Sequence, residues 1–577
     1  METGVRLRTS SWARPNWVTI VRGPLWWAQA AVLLLLGYLI LFPSVVLMLE
    51  SVRDAAGRWT MAWYVQVYST PSNYQALANS LILGAGSAAF ATILGTLLAW
   101  IVVRTDTPCR GLLEVAALVP FICPPFIGAL AWTLLGGPNA GLLNQWARRF
   151  LGVERLVNMY SLGGMVLVIG LYTAPFVLLI VGGALRSMDA STEEASMMAG
   201  AGQAATTVLI TLPMVAPAIL AGAFLAFVLA LEQFGVPAVL GLPARIPVLT
   251  TKIWTTISEY PPQYGQGAAL CVVLLALTVA GVALQRQLLR RRRFTTVTGK
   301  GARPTLVRLG GLRWAALGLG LLYLVAAMVL PMGVLVLASF RSIWTQQLAW
   351  SQLTFHNYGY VLTEYPLSRL AMVNSLLLGA GGATLAILLA ALVSFLSLRT
   401  RLPGHRALEQ LAMLPLAFPG TVLAYGMLRA WIQPPLVLYG TMWILLAAYV
   451  GRYLPYGVQS TSSALAQIHP ELEESSLMSG ASWPATFRHI TLPLLRSGII
   501  AGWILLFVSF LRELSASVLL YTPKQVVLSV ALFDLWASGD IGYLSALSVL
   551  MIVIAVVALA LLRWLGASGP ALDRGSV

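Results

Sequence analysis

Residues 193–213 read EEASMMAGAGQAATTVLITLP, and residues 473–493 read EESSLMSGASWPATFRHITLP. At a constant offset of 280 the two stretches agree at 12 of 21 positions, including the paired glutamates, Gly200 with Gly480, and the closing Ile-Thr-Leu-Pro. Each is moderately polar and lies between long apolar runs. Each also carries a helix-start signal: Ser191 followed by Glu194 has capping-box spacing, and Pro470 suits a first helical position, with Glu471, Glu473 and Glu474 in the opening turns. The predicted unit is a short helix, a turn at the glycine, and a second short helix ending at Pro213 or Pro493 before the next apolar run. A polar unit built twice between apolar runs reads as a docking element.

The surrounding composition excludes a soluble protein. Of 577 residues, 58% are hydrophobic and 10% are charged, whereas charged residues make up about a quarter of an ordinary soluble chain. The apolar runs are long enough to cross a hydrocarbon core of roughly 30 Å as helices, and about twelve are counted. The net charge of +16 follows the positive-inside bias, with about 23 Lys and Arg in segments assigned to the cytoplasm and about 10 outside. That distribution excludes a nucleic-acid groove. Cys109, Cys123 and Cys271 are too few for a disulfide framework or thiolate site. His356, His405, His469 and His489 form no helical i, i+4 pair, so no metal site is predicted. Tyr358, Tyr360 and Tyr365 read as an interfacial aromatic belt.

In chain order, the apolar run after Arg6, Arg8, Arg14 and Arg22 is long enough to anchor rather than be cleaved, which puts the N-terminus inside. A third span over about 112–136 contains Pro120, Pro124 and Pro125 and is expected to kink. The fifth span carries Glu232 and Gln233, an outside loop covers about 241–265, and the sixth span ends in the arginine run 290–293. Residues 294–313 form a basic linker. Beyond it the plan restarts: Asn79-Ser80-Leu81 and Arg104-Thr105 are answered by Asn374-Ser375-Leu376 and Arg399-Thr400 at an offset of 295, as are Pro120 and Pro124 by Pro415 and Pro419. Pro175 is answered by Pro455 at 280. The expected fold is all-α integral membrane, with about twelve transmembrane helices in two tandem six-helix parallel repeats. Residues 1–293 and 314–577 are the halves, and the docking loops lie at about 186–213 and 466–495. Six spans per half place both loops and both termini in the cytoplasm.

The docking stretch resembles the cytoplasmic EAA loop of ABC importer membrane subunits. Its pattern is met by Glu194, Ala195, Ser196, Gly200, Ile210, Leu212 and Pro213, with Glu193 preceding. The second copy meets it with Glu474, Ser475, Ser476, Gly480, Ile490, Leu492 and Pro493, with Glu473 preceding. The resemblance implies a type I importer permease whose loops form coupling helices seated in two copies of a cytoplasmic ABC ATPase. Glu194 and Glu474 would cap and orient those helices, and Gly200 and Gly480 would permit the turn. The chain has no phosphate-cradling Gly-x-x-x-x-Gly-Lys-Ser/Thr loop. It is therefore expected not to be an enzyme and to bind no cofactor, with ATP and Mg²⁺ held by the ATPase.

The phrases ALEQFGVPAVLG at 230–241 and LRELSASVLLYTP at 511–523 resemble the fused two-half permeases of the ferric-iron group. That resemblance implies iron import across a bacterial inner membrane from a periplasmic binding protein by alternating access. Permeases for thiamine, polyamines, sulfate and aminoethylphosphonate share part of it. An ion-coupled secondary transporter is the alternative of another class. Charges inside a span mark functional positions. Glu232 and Arg512, equivalent at an offset of 280, are therefore expected near the pathway and as a pair, with Gln233 and Glu513 beside them.

Overall fold

The computed structural model describes residues 22–54, 56–290, 306–342, 344, 353–400 and 402–567. Among these, nine helices are long and apolar enough to cross a membrane, or eleven if each of two bent pairs is one crossing. In the first half these are α1 (Leu25–Glu50), α2 (Pro71–Arg104), the bent pair α3 (Arg110–Phe121) and α4 (Pro125–Gly136), α5 (Leu162–Ser187), α7 (Gln203–Leu231) and α9 (Tyr264–Leu288). Between them lie the short helices α6 (Ala190–Met198) and α8 (Leu249–Ser258). The second half repeats the order. It runs α10 (Leu312–Ser339), α11 (Pro366–Leu398), the bent pair α12 (His405–Ala417) and α13 (Gly420–Ala430), α14 (Met442–Ala466), α15 (Pro470–Met478), α16 (Phe487–Leu511), α17 (Leu528–Ser538) and α18 (Ile541–Ala558). The helix α14 occupies the position of α5, but Arg452 and its Gln, Ser and Tyr residues keep it below the hydropathy of the others. The arginine run 291–293 and linker residues 294–305 lie outside the described residues.

The expectation of a kinked third span is corrected to a broken one. The chain turns by 95° between α3 and α4 and by 110° between α12 and α13. Proline supplies no N–H for a continuing helix but suits a first turn. Pro124 and Pro125 thus end one helix and start another, and Pro419 immediately precedes α13.

The expected outside loop at 241–265 is likewise corrected, because α8 within it is packed in the bundle with Leu249, Thr250, Thr251 and Ile253 buried. The repeated Asn-Ser pair explains why. Asn79 Nδ2 donates to the Pro247 carbonyl (2.8 Å), and the Leu249 N–H donates to Ser80 Oγ (2.8 Å). In the second half Asn374 Nδ2 donates to the Val526 carbonyl (2.8 Å), and the Leu528 N–H donates to Ser375 Oγ (2.7 Å). A helix start has unpaired N–H groups that cannot be left bare away from water. In each half α2 or α11 supplies the missing acceptor and fastens the start of the buried short helix.

The halves exchange their first helices. α1 packs on the second half, where Glu50 pairs with Arg429 at 2.7 Å and Gln29 Nε2 donates to the Pro403 carbonyl at 2.6 Å. α10 packs on the first half, and the Tyr323 hydroxyl donates to the Ala117 and Leu171 carbonyls, 3.3 Å each. The described end of the linker is fastened as well. Val307 N–H donates to the Arg104 carbonyl (2.7 Å), Asp106 N–H donates back to Val307 (3.2 Å), and Leu309 N–H donates to Asp106 Oδ1 (2.9 Å).

Candidate functional site: two docking loops and a central cavity

The two loops expected to dock share one construction. In the first, α6 ends at Met198, Gly200 adopts φ +90°, and the chain re-enters helix at Gln203. In the second, α15 ends at Met478, Gly480 adopts φ +88°, and helix resumes at Trp483. A left-handed residue after a helix end costs a side-chain-bearing residue roughly 1–2 kcal/mol, which glycine avoids. The start signal in the first copy is corrected: Asp189, not Ser191, caps α6 by accepting the Ser191 N–H at 3.0 Å. Pro470 does open α15.

The prolines do not end the second short helix. In both copies the helix continues through a wide π-turn, Thr207–Thr211 or Phe487–Thr491, into the following span. A wider turn accommodates the backbone bond that Pro213 or Pro493 cannot make.

Glu194 and Glu474 are exposed and no described bond caps a helix through them, so the capping role expected for them is corrected. The preceding glutamates do the anchoring. Glu193 is buried against Arg104 at the end of α2 and accepts from Thr211 Oγ1 at 2.5 Å. Glu473 pairs with Arg399 at 3.5 Å and accepts from Thr491 Oγ1 at 2.9 Å. A hydroxyl pair closes each loop: Ser196 with Thr206 at 3.0 Å, and Ser476 with Thr486 at 2.9 Å. The arginines were visible in the sequence only as part of the repeat. Their partners, about 75–90 residues away, needed the fold. Ala195 and Ser475 are exposed, as are Leu212, Pro213, Leu492 and Pro493, while Ile210 and Ile490 are half-buried.

The second site is a cavity of about 520 Å³ between the halves, lined by all four residues expected at the pathway, Glu232, Gln233, Arg512 and Glu513. The lining comes largely from equivalent positions. Tyr172, Thr173, Phe176 and Leu179 of α5 face it from one half, and Arg452, Tyr453, Tyr456 and Gln459 of α14 from the other, all at the offset of 280. The breaks of the two bent pairs reach it through Phe121, Pro124, Pro125 and Leu416.

The expected pairing of Glu232 with Arg512 is corrected. Glu232 pairs with Arg452 at 3.4 Å, across the boundary between the halves, and Arg452 also holds Glu513 at 2.9 Å. The Tyr453 hydroxyl donates to the second oxygen of Glu513, and the Ala516 N–H donates to the first at 2.7 Å. Arg512 instead donates to the Phe121 carbonyl at 2.5 Å, with its guanidinium 5.3 Å from the centre of the Phe121 ring. A charge withdrawn from water must be matched nearby. The position equivalent to Arg452 is Tyr172, so the charge that Glu232 needs comes from α14 alone. Arg429, Arg452 and Arg512 are thus each bonded: Arg429 to Glu50, Arg452 to two glutamates, and Arg512 to a carbonyl. Among the described residues no group of three or more His, Cys, Asp or Glu could hold a metal ion.

Comparison with known proteins agrees with this architecture. A family model described as the inner membrane component of binding-protein-dependent transport systems matches residues 91–294 and 382–568, once in each half. The chain is 28% identical over 507 residues to a putative ferric transport system permease protein, FbpB 1, of Haemophilus influenzae, covering 86% of this chain and 78% of that protein. It is 26% identical over 522 residues to the ferric transport system permease protein FbpB of Actinobacillus pleuropneumoniae, covering 89% and 74%. A putative 2-aminoethylphosphonate transport system permease protein, PhnV, of Salmonella paratyphi A is 29% identical over 220 residues, 38% of this chain and 82% of that one. Membrane components of this kind carry no ATPase activity, in line with the missing phosphate loop. With a matched segment in each half, the chain belongs to the family of binding-protein-dependent transport system inner membrane components.

Proposed function

We propose that this chain is the transmembrane permease subunit of an ATP-driven importer that carries ferric iron from a periplasmic binding protein into the cytoplasm. With α14 counted as a crossing, each half has six spans, and both docking loops and both termini face the cytoplasm. Each loop seats in one copy of an ATPase subunit that binds ATP and Mg²⁺. Closure of the ATPase pair pulls the loops together and opens the cavity outward, and separation returns it inward.

The observation that carries this reading is the docking loop built twice, with the same glycine turn and the same Arg–Glu–Thr anchor at the end of α2 and of α11. An anchored loop transmits force to the span behind it, where an unanchored one would only bend. Residues 194, 195, 200, 210, 212 and 213 and their counterparts 474, 475, 480, 490, 492 and 493 would form the coupling surface, with Glu193 and Glu473 holding it from behind. Ferric iron is favoured because two relatives that match 86% and 89% of this chain are named as ferric permeases, whereas the aminoethylphosphonate relative matches 38% of it.

The test is uptake of radiolabelled ferric iron into proteoliposomes holding the chain with its ATPase and iron-loaded binding protein. ATP-dependent accumulation is expected. Uptake of 2-aminoethylphosphonate in place of iron would replace the cargo but not the mechanism, and uptake without the ATPase would overturn the mechanism.

A further inference from the structure

The groups around the central cavity are not equally available to a cargo. Both carboxylates are committed: Glu232 to Arg452, and Glu513 to Arg452, the Tyr453 hydroxyl and the Ala516 N–H. A cation seeking carboxylate ligands would have to pull them away and leave the Arg452 guanidinium, 10% exposed, without its counter-charges, which is strongly unfavourable.

Arg512 is in the opposite condition. A guanidinium presents five N–H donors in a fixed fork, and the described bonds of Arg512 use one nitrogen, on the Phe121 carbonyl. That bond and the Phe121 ring hold the fork in place, while its half-buried side chain lines the cavity. Gln233, Gln459 and Tyr456 line the same space and add amide and hydroxyl donors. The polar capacity left over is thus rich in donors and carries a positive charge, which suits an oxyanion. The volume of about 520 Å³ lies in the range of pockets that take small molecules, roughly 300–1,000 Å³.

We propose that cargo enters this cavity by an anionic group of the carboxylate, phosphate or phosphonate kind, gripped by Arg512, and not as a bare metal cation. The inference rests on the cavity being the transport path. Under the ferric reading, it means that iron crosses as a complex whose outer ligands are anionic.

Two measurements test it. In the first, the detergent-solubilised full chain, as wild type, Arg512→Lys and Arg512→Gln, is melted with inorganic phosphate, methylphosphonate, citrate or chloride. At least one oxyanion should stabilise the wild type more than chloride does, and that excess should shrink in Arg512→Lys and vanish in Arg512→Gln. Oxyanion stabilisation in none of the three cases, or equal stabilisation of wild type and Arg512→Gln, would overturn the proposal.

In the second, the reconstituted importer is assayed for iron uptake, with co-purification of the ATPase as the check that each variant has folded. Arg512→Gln should lose about tenfold in uptake, the scale of one charge-assisted hydrogen bond. Wild-type rates in Arg512→Gln would overturn the proposal while leaving the ferric reading intact. An Arg512-dependent oxyanion effect in a wild type that imports no iron would do the reverse.

Discussion

The two halves are alike where they meet the docking loops and unlike where they meet each other. At the loops the same three-residue anchor recurs: Arg104, Glu193 and Thr211 in one half, Arg399, Glu473 and Thr491 in the other. At the cavity, equivalent positions carry different chemistry. Tyr172, Thr173, Phe176 and Leu179 form a mostly apolar wall opposite Arg452, Tyr453, Tyr456 and Gln459, and Glu232 and Gln233 stand where the second half has Arg512 and Glu513. The difference follows from what each region must match. Two copies of one ATPase subunit would require two like loops, whereas a single cargo on the axis between the halves has no twofold symmetry of its own. A duplicated chain is then free to diverge at the axis while its ends stay alike.

Substitutions can break or sharpen that contrast. The largest effect is expected from Arg452→Leu, which leaves Glu232 and Glu513 without their shared cation. The loss should be about 3–5 kcal/mol in stability, read as thermal unfolding in detergent, whereas Tyr172→Phe at the equivalent position should cost far less. Next, the anchors themselves are not equally dry. The Arg104–Glu193 pair is almost wholly buried, with side chains 1% and 7% exposed, while Arg399–Glu473 is at 14% and 19%. Arg104→Gln should therefore loosen residues 190–206 by about 3 kcal/mol, and Arg399→Gln should loosen residues 470–486 by less, about 1 kcal/mol. Hydrogen exchange of the two loops measures both, and equal losses would show that burial does not set the anchor strength.

Gly200→Val and Gly480→Val should each cost about 1–2 kcal/mol, because φ is positive while nothing lies within 4 Å of the added carbon. The loss is carried by the backbone alone, so the two should match and should weaken co-purification of the ATPase to the same degree. The smallest effects, about 1 kcal/mol each, are expected for Asn79→Ala and Asn374→Ala. Faster hydrogen exchange confined to 249–258 in one and 528–538 in the other would be the readout. A marked difference between these two would limit the likeness of the halves to the docking loops.

Periodicity and repetition made the tandem plan, the two repeated loops and their glycine turns legible in the sequence, because a span, a duplicated stretch and a left-handed turn each leave a local mark. The resemblance points to Glu194 and Glu474 as the capping glutamates, whereas Glu193 and Glu473 fasten the loops. Glu193 and Glu194 are chemically identical, and only the helix phase decides which one faces Arg104. The four residues expected at the pathway line one cavity, yet the partner of Glu232 is not legible in the sequence, since Arg452 lies 220 residues further along and its equivalent is a tyrosine.

The sequence by itself determined that this is a membrane chain made of two like halves, since hydropathy and internal identity survive without any knowledge of contacts. Tertiary structure alone decided which charges pair, that the proline-rich third span is broken, and that the first helix of each half packs on the other. Those outcomes depend on which surfaces meet across the boundary between halves, where withdrawal from water makes each charge and each open backbone group take whatever partner the packing brings within reach.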